Sequence, residues 1–378
     1  MSALWGRVVL AVEAASIVRE YDLSSLTIGV VASHSALDVL HGARRYGFRT
    51  LAVARRGRDL AYRMFPLVDR LLVLDSYRDL LDERVQEELR RLNTIFVPNR
   101  SFAVYVGYEG IEEEFNVPVF GNRFLLRWEE RVGEKNYYRL LDEAGIRRPR
   151  TYRDLSEAKG PVMVKLPEAR RRVERAFFVA GSGAEAEERL GELRRLGVVD
   201  EESLREMSIE EYVAGSHFNF NYFWSVVYGR LELHSVDRRL QTSIDDVNRL
   251  PSWIQDALRG VIEPRMIEVG HIPVTVRESL LHKVFEIALK FVEAARRLEP
   301  PGVIGPFTLQ GIVTPELDIV VYDIAPRIGG GTNSVMAWGG QYSHLYFDRP
   351  LNLGERIALE IREALKRRGV EGLVQLVT

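Results

Sequence analysis

Between residues 26 and 120 short, unbroken apolar runs alternate with stretches of helical period. Leu26–Ala32, Arg49–Val53, Leu71–Leu74 and Thr94–Val97 read as buried strands, and Ala36–Tyr46, Arg58–Phe65 and Tyr77–Leu92 as the helices between them. Continuous apolar strands separated by helices predict a parallel sheet covered on both faces. Ligands on such sheets bind in loops at the carboxyl ends of strands. Here those loops are Ser33-His34-Ser35 and Pro98-Asn99-Arg100-Ser101.

From about residue 123 the pattern changes. Gly133–Ala144 predicts a helix closed by Gly145, with Pro149 just beyond. Val162–Lys165 predicts a short strand, Glu185–Leu196 a helix and Ser208–Val213 a strand, while Phe218–Val227 and Arg230–Val236 read as paired strands. Glu278–Leu298 places apolar residues at 280, 281, 284, 285, 288, 291, 292 and 295, near the 3.6 period of a long helix. Two strand-like runs, 306–313 and 319–325, follow across a turn holding Pro315, then the glycine cluster 329–331 and a last helix over 354–367. The chain is thus α/β, with a parallel-sheet domain over 26–125 and an α+β domain over 126–378.

Composition narrows the chemistry. With 46% apolar and 28% charged residues, the 378-residue chain is that of a globular protein. A net charge of −2 supplies no field toward nucleic acid or anionic membrane. The absence of cysteine excludes disulfides, thiolate metal sites, iron–sulfur clusters and a cysteine nucleophile. Only six of the 52 basic residues are lysine, and this arginine bias fits a thermophilic, intracellular source. No segment reaches the ~18 apolar residues of a membrane helix. The nearest, Leu4–Val18, is interrupted by Arg7 and Glu13 and reads as an amphipathic helix within an N-terminal extension, 1–25, of a cytoplasmic protein.

The hairpin 306–325 carries the most information. A four-residue loop at 315–318 sets Gln310 directly opposite Asp323, with Cβ atoms about 5 Å apart. In this reading Thr308, Gln310 and Ile312 share a face of the first strand, and Ile319, Val321 and Asp323 share a face of the second. The two oxygen-bearing side chains either hold Mg²⁺ together with phosphates and water or form a solvated face. Arg327-Ile328-Gly329-Gly330-Gly331-Thr332-Asn333 follows. Its glycines permit close backbone approach and positive φ, so that Arg327, Thr332 and Asn333 could bind phosphate or carboxylate oxygens; the alternative is a plain surface loop. Lys165 ends an apolar strand and Lys135 lies in the preceding helix, so both could grip ATP phosphates as point charges. The edge Glu210-Glu211-Tyr212-Val213 could read an adenine and ribose. Ser35 is a candidate helix N-cap, which makes Ser33-His34-Ser35 either an anion site or simple capping, with His34 partly charged near neutral pH. His271 reads as a loop histidine. The arginine runs at 170–172, 237–239 and 296–297 mix with acids and lack interleaved aromatics, which argues against nucleic acid.

These pieces, in this order, resemble the archaeal ATP-grasp ligases of purine synthesis, the 5-formaminoimidazole-4-carboxamide ribonucleotide (FAICAR) synthetases. The resemblance runs through residues 33–37, 98–102, 121–123, 126–129, 144–146, 210–213, 237–239, 277–281, 305–307 and 327–333. It implies a Rossmann-like preATP-grasp domain followed by an ATP-grasp domain with a lid subdomain at about 155–213. It also implies ATP- and formate-dependent formylation of an aminoimidazole carboxamide ribonucleotide by a homo-oligomer.

By the same resemblance Ser33, His34, Ser35, Ser101, Arg239, His271, Thr332 and Asn333 bind the ribonucleotide, with His271 standing where such enzymes usually carry asparagine. Lys135, Lys165, Gln241 and the 210–213 edge hold ATP. Gln310 and Asp323 take the two Mg²⁺ (or Mn²⁺) positions, and Arg327 and Lys165 neutralise the transferring phosphoryl group. Two features depart from the family: Gln310 and Asp323 replace glutamates, and the lid segment 166–178 holds no glycine. They leave open an ATP-grasp carboxylate–amine ligase with another acceptor, or a non-catalytic nucleotide-binding paralogue.

Overall fold

The computed structural model describes residues 13–166, 177–197, 199–259, 261–262 and 267–378. The expected helix over 4–18 is seen from residue 13 onward, where 13–20 is helical with Ala14 and Val18 buried; its earlier part lies outside the described residues. Most of the lid segment, 167–176, also lies outside them. Among the described residues no helix is long and apolar enough to cross a membrane.

The four N-terminal strands are β1 (Thr27–Val31), β2 (Arg49–Arg55), β3 (Arg70–Leu74) and β4 (Thr94–Phe96). They form a parallel sheet in the order β3-β2-β1-β4, and every residue of the central β1 is buried. The helix expected over 77–92 is two pieces, a 3₁₀ turn at Tyr77–Leu81 and a helix at Glu83–Arg91. Ser76 and Asp79 form a capping box on the first, and Asp82 caps the second. Local side-chain capping therefore divides what apolar spacing alone joins. Asn99 caps the helix Arg100–Val106 and donates through Nδ2 to Val31 O at 2.8 Å and Ser33 O at 3.0 Å. That amide ties the loop after β4 to the loop after β1.

A small antiparallel sheet follows, ordered β5-β8-β6-β7, from β5 (Thr151–Tyr152), β6 (Val162–Lys165), β7 (Phe177–Ala180) and β8 (Ser208–Glu211). The helix Gly183–Arg195 packs on it through Ala186 and Leu190. The largest sheet holds β9 (Ser216–Ser225), β10 (Arg230–Gln241), β11 (Glu268–Pro273), β12 (Gly305–Val313) and β13 (Ile319–Ala325), all antiparallel in the order β11-β10-β9-β12-β13. One face is apolar: Phe220, Tyr222, Phe307, Leu309, Val321 and Ile324 pack on Val284 and Phe291 of the helix Leu281–Leu298. Phe307 stacks between Tyr222 and Phe291, with ring centroids 5.0 and 5.2 Å away. The alternate positions of the same strands point to the other face.

The β12–β13 hairpin departs from the sequence reading. Thr314 N donates to Asp318 O at 2.9 Å, so the loop holds residues 315–317 and is one residue shorter than expected. Near the loop Gly311 pairs with Val321; then a bulge at Tyr322 shifts the register and brings Asp323 opposite Gln310. Ile319 and Val321 therefore face the apolar core while Asp323 turns to the opposite face, which the expectation of a shared face missed.

The helix Leu353–Arg368 closes the fold against the helix Ala36–Arg45. Gly42 and Gly354 let their backbones touch: a Cβ on Gly42 would run into the Gly354 carbonyl, and one on Gly354 into the Asp38 carbonyl. Gly42→Ala should therefore lower the unfolding free energy by about 1–3 kcal/mol, as overpacking does. Equilibrium urea denaturation reads this, and an unchanged midpoint would show that the two helices can slide apart.

Candidate active site

The polar face of the five-stranded sheet carries a continuous row. Asp237 on β10 pairs with Asn219 on β9, Asn219 with Gln310 on β12, and Gln310 with Asp323 on β13. A second row runs Ser235, Asn221, Thr308 and Ala325. Asp237 is buried and accepts three hydrogen bonds, from Asn219 Nδ2 at 2.6 Å, Asn221 Nδ2 at 2.7 Å and His271 Nδ1 at 2.6 Å. Thr308 Oγ1 in turn donates to Asn221 Oδ1 at 2.8 Å. Such a set meets the requirement that a buried carboxylate be fully bonded.

The glycine cluster lies on this face. A Cβ on Gly329 would meet Thr308 Oγ1, and one on Gly331 would overlap the Asp237 carboxylate. None of the three glycines has a positive φ, and close approach explains Gly329 and Gly331. The loop is fastened to the end of β1. Ser35 Oγ donates to Gly329 O, Thr332 Oγ1 to Ser35 Oγ at 3.0 Å, and Asn333 Nδ2 to His34 O at 2.9 Å. Ser35 stands at the helix N-cap position as expected, but its hydroxyl serves the glycine loop and makes no capping bond.

His34 holds a left-handed backbone, φ 46°, and its Nδ1 lies 3.0 Å from Ser33 Oγ and 3.3 Å from Ser101 Oγ. Burial, reinforced by the positive charges of Arg327 and Arg100, pushes its pKa down to about 4. His34 is therefore neutral at neutral pH, against the expectation of partial charge. Arg327 is buried and both arms of its fork meet Glu129, which also takes Arg100 Nη1 at 2.8 Å. Sequence reasoning placed Arg327 on a phosphoryl group and left Arg100 and Glu129 without roles, although Arg100 sits in a loop that the parallel-sheet rule singles out.

On β6, Lys165 lies 2.7 Å from Glu210 Oε1 and 3.3 Å from the Tyr137 hydroxyl, all three buried. Burial lowers the lysine pKa, and Glu210 partly offsets this. Glu210 also accepts from Tyr138, so its carboxylate is engaged by protein. The strand expected through Val213 ends at Glu211; the amides of Glu211 and Tyr212 donate to Arg150 O at 2.8 Å and Pro161 O at 2.9 Å. Lys135 precedes the helix, which spans Tyr137–Glu143, and pairs with Glu299, the acceptor of Trp128 Nε1 at 3.0 Å. Gln241 ends β10 with its amide on the Asp245 carboxylate.

Gln310 is buried and its Oε1 has no hydrogen-bond partner among the described residues. Beside it the half-buried Asp323 accepts from the Ile324 amide at 3.0 Å. Among the described residues no group of three or more His, Cys, Asp or Glu could hold a metal. An orphaned buried oxygen next to a carboxylate fits a hard cation whose remaining ligands are phosphate and water oxygens, as Mg²⁺ takes them.

His271 is on the edge strand β11 opposite Arg239, not in a loop. Glu268 spans the two, with Oε1 2.9 Å from His271 Nε2 and Oε2 2.9 Å from Arg239 Nε. Burial works against a charge on His271, but Asp237 and Glu268 outweigh it and raise its pKa to about 9.

The chain matches two family models, "Protein of unknown function (DUF1246)" over residues 28–152 and "Domain of unknown function (DUF1297)" over 185–375. It is 43% identical over 363 residues to the 5-formaminoimidazole-4-carboxamide-1-(beta)-D-ribofuranosyl 5'-monophosphate synthetase of Methanopyrus kandleri, covering 96% of this chain and 98% of that one. The chain belongs to the FAICAR synthetase family. The crystal structure of an IMP biosynthesis protein PurP from Thermococcus kodakaraensis superposes with a TM-score of 0.69 at 30% identity, over 93% of this chain and all of that one. A more distant neighbour, at 14% identity and TM-score 0.60, is the biotin carboxylase domain of the Hydrogenobacter thermophilus 2-oxoglutarate carboxylase in complex with MgADP and bicarbonate, which covers 88% of this chain and 69% of that one. It shows the fold alone, which is that of the ATP-grasp proteins.

The raised pKa of His271 gives this face of the sheet a pH signature. A folded-state pKa of about 9 above the ordinary 6.5 stabilises the fold fully below pH 6.5 and loses that stabilisation as pH rises through about 9. The stability gap between the parent protein and His271→Gln should therefore shrink by about 1–3 kcal/mol between pH 6 and pH 10. Urea midpoints across that range measure it, and a gap independent of pH would show that the imidazole is not protonated in the fold.

Proposed function

We propose that this protein is an ATP- and formate-dependent carbon–nitrogen ligase. It formylates the 5-amino group of 5-aminoimidazole-4-carboxamide ribonucleotide and releases ADP and phosphate in IMP formation. The single observation that carries this reading is the row on one sheet face. It sets the Gln310/Asp323 oxygen pair, the Arg239/His271 cations and the joined loops of His34, Ser101 and Thr332 beside one another.

Formate resists attack because its carboxylate is resonance-stabilised, and transfer of the ATP γ-phosphoryl group converts it to formyl phosphate, an activated acyl donor. The ribonucleotide amine then attacks and phosphate leaves. Gln310 and Asp323 would hold Mg²⁺ or Mn²⁺, which spreads the charge of the triphosphate. Lys165 offers a point charge to the phosphates and must exchange Glu210 for them. Neutral His34 and the hydroxyls of Ser33 and Ser101 orient the ribonucleotide, with Thr332 and Asn333 fixing the loop above it. Residues 155–213 form the lid that keeps water from the acyl phosphate. The reading extends to a homo-oligomeric, cytoplasmic protein of a thermophilic archaeon, in line with the family resemblance and the arginine-rich, cysteine-free composition.

The neutral Gln310 favours one second reading, a ligase of the same kind with another acceptor. ADP release with Mg-ATP, formate and the ribonucleotide, omitting each in turn, separates the two. Asp323→Asn should reduce formate-dependent ADP release on the order of 100-fold or more. Turnover equal to the parent's would remove Asp323 from the metal position.

A further inference from the structure

Glu268 neutralises two cations whose nearest nitrogens are poorly aligned with it. Its two oxygens lie 2.9 Å from His271 Nε2 and 2.9 Å from Arg239 Nε, yet neither buried nitrogen has a hydrogen-bond partner in proper alignment among the described residues. Two buried donors are thus satisfied in charge but not in direction, an arrangement that calls for an explanation. Beyond them lies Gly330. A Cβ built there would stand 3.5 Å from Glu268 Oε1, 3.5 Å from His34 Cδ2 and 3.8 Å from His271 Nε2, which is ordinary contact. The space bounded by these three side chains therefore accepts a methyl-sized group without strain.

We propose that Arg239 and His271 form the subsite for the small carboxylate substrate, and that Glu268 is its resident counter-ion, displaced when the acid binds. This rests on the ligase reading above. A carboxylate already bridges the two donors with one oxygen to each, so the pair is spaced for a carboxylate. Exchange of the Glu268 carboxylate for formate conserves charge and leaves no cation unpaired. Asp237, 2.6 Å from Nδ1, keeps the imidazole charged when Glu268 turns away. Glu268 is the first residue of an edge strand and is 22% exposed, which gives it a path outward. Arg239 also lies within electrostatic reach of Asp323, so the bound acid would adjoin the metal and phosphate side of the row.

An internal competitor weakens apparent affinity in proportion to its occupancy, and removing it lifts that penalty. The test uses the full chain as the parent, Glu268→Gln and Gly330→Ala. Thermal midpoints are titrated with sodium formate, with sodium phosphate and sodium chloride at matched ionic strength as separate arms, and the formate KM is read from ADP release. Formate should raise the parent midpoint saturably beyond chloride. Half-saturation should fall at least 5-fold in Glu268→Gln and rise at least 10-fold in Gly330→Ala, whose methyl fills the space. An unchanged or higher half-saturation in Glu268→Gln overturns the proposal, as does stabilisation by phosphate but not formate. If Glu268→Gln does not fold, Gly330→Ala decides, since its Cβ meets neighbours only at ordinary distance; formate binding as tight as the parent's would then overturn the subsite. Formate stabilisation that follows this pattern without formate-dependent ADP release would uphold the subsite and refute the ligase reading instead.

Discussion

One buried carboxylate organises this protein. Asp237 sits on the polar face of the central sheet, with two asparagine amides and one imidazole donating to it. A desolvated carboxylate is tolerable only with its oxygens satisfied, so Asn219 and Asn221 on one neighbouring strand and His271 on the other are held to fixed positions. The same group leaves no room for a side chain at residue 331. The glycine loop is thereby seated on the sheet, and through Ser35, Thr332 and Asn333 it draws in the first loop of the parallel domain. The parallel sheet and the five-stranded sheet are joined by this chain of contacts.

The charges on the candidate site residues follow one pattern, in which a protein anion stands against each of six buried or half-buried cations. Glu129 holds Arg100 and Arg327, Glu210 holds Lys165, Glu268 bridges Arg239 and His271, and Glu299 holds Lys135. For a family that handles triphosphate and ribonucleotide this is a physical necessity, since cations buried without partners would destabilise the fold. Under the proposed function, anionic substrates would bind by exchange rather than by addition. The two histidines flanking Gly330 differ for the same reason. His34 has arginines for its strongest charged neighbours and is neutral, while His271 has carboxylates and is charged.

The residues legible in the sequence are those whose placement depends on neighbours in the chain. The parallel sheet, the loops at the carboxyl ends of its strands and the Gln310–Asp323 pairing follow from apolar runs and strand alternation. The pairing itself held although the loop is shorter than expected, because the bulge at Tyr322 restores the register at the inner end of the hairpin. Family motifs carried the match to FAICAR synthetases over nearly the whole chain. Partnerships across long separations were not legible. Glu129 meets Arg327, and Ser35 reaches Gly329, only after folding.

The sequence by itself determined the fold class and the order of the parallel and antiparallel sheets, because periodicity acts locally along the chain. Tertiary structure alone decided which cations are already paired, which histidine is charged, and that β11 is a strand rather than a loop. Those properties depend on burial and on charges brought together from distant segments, and no local pattern records them.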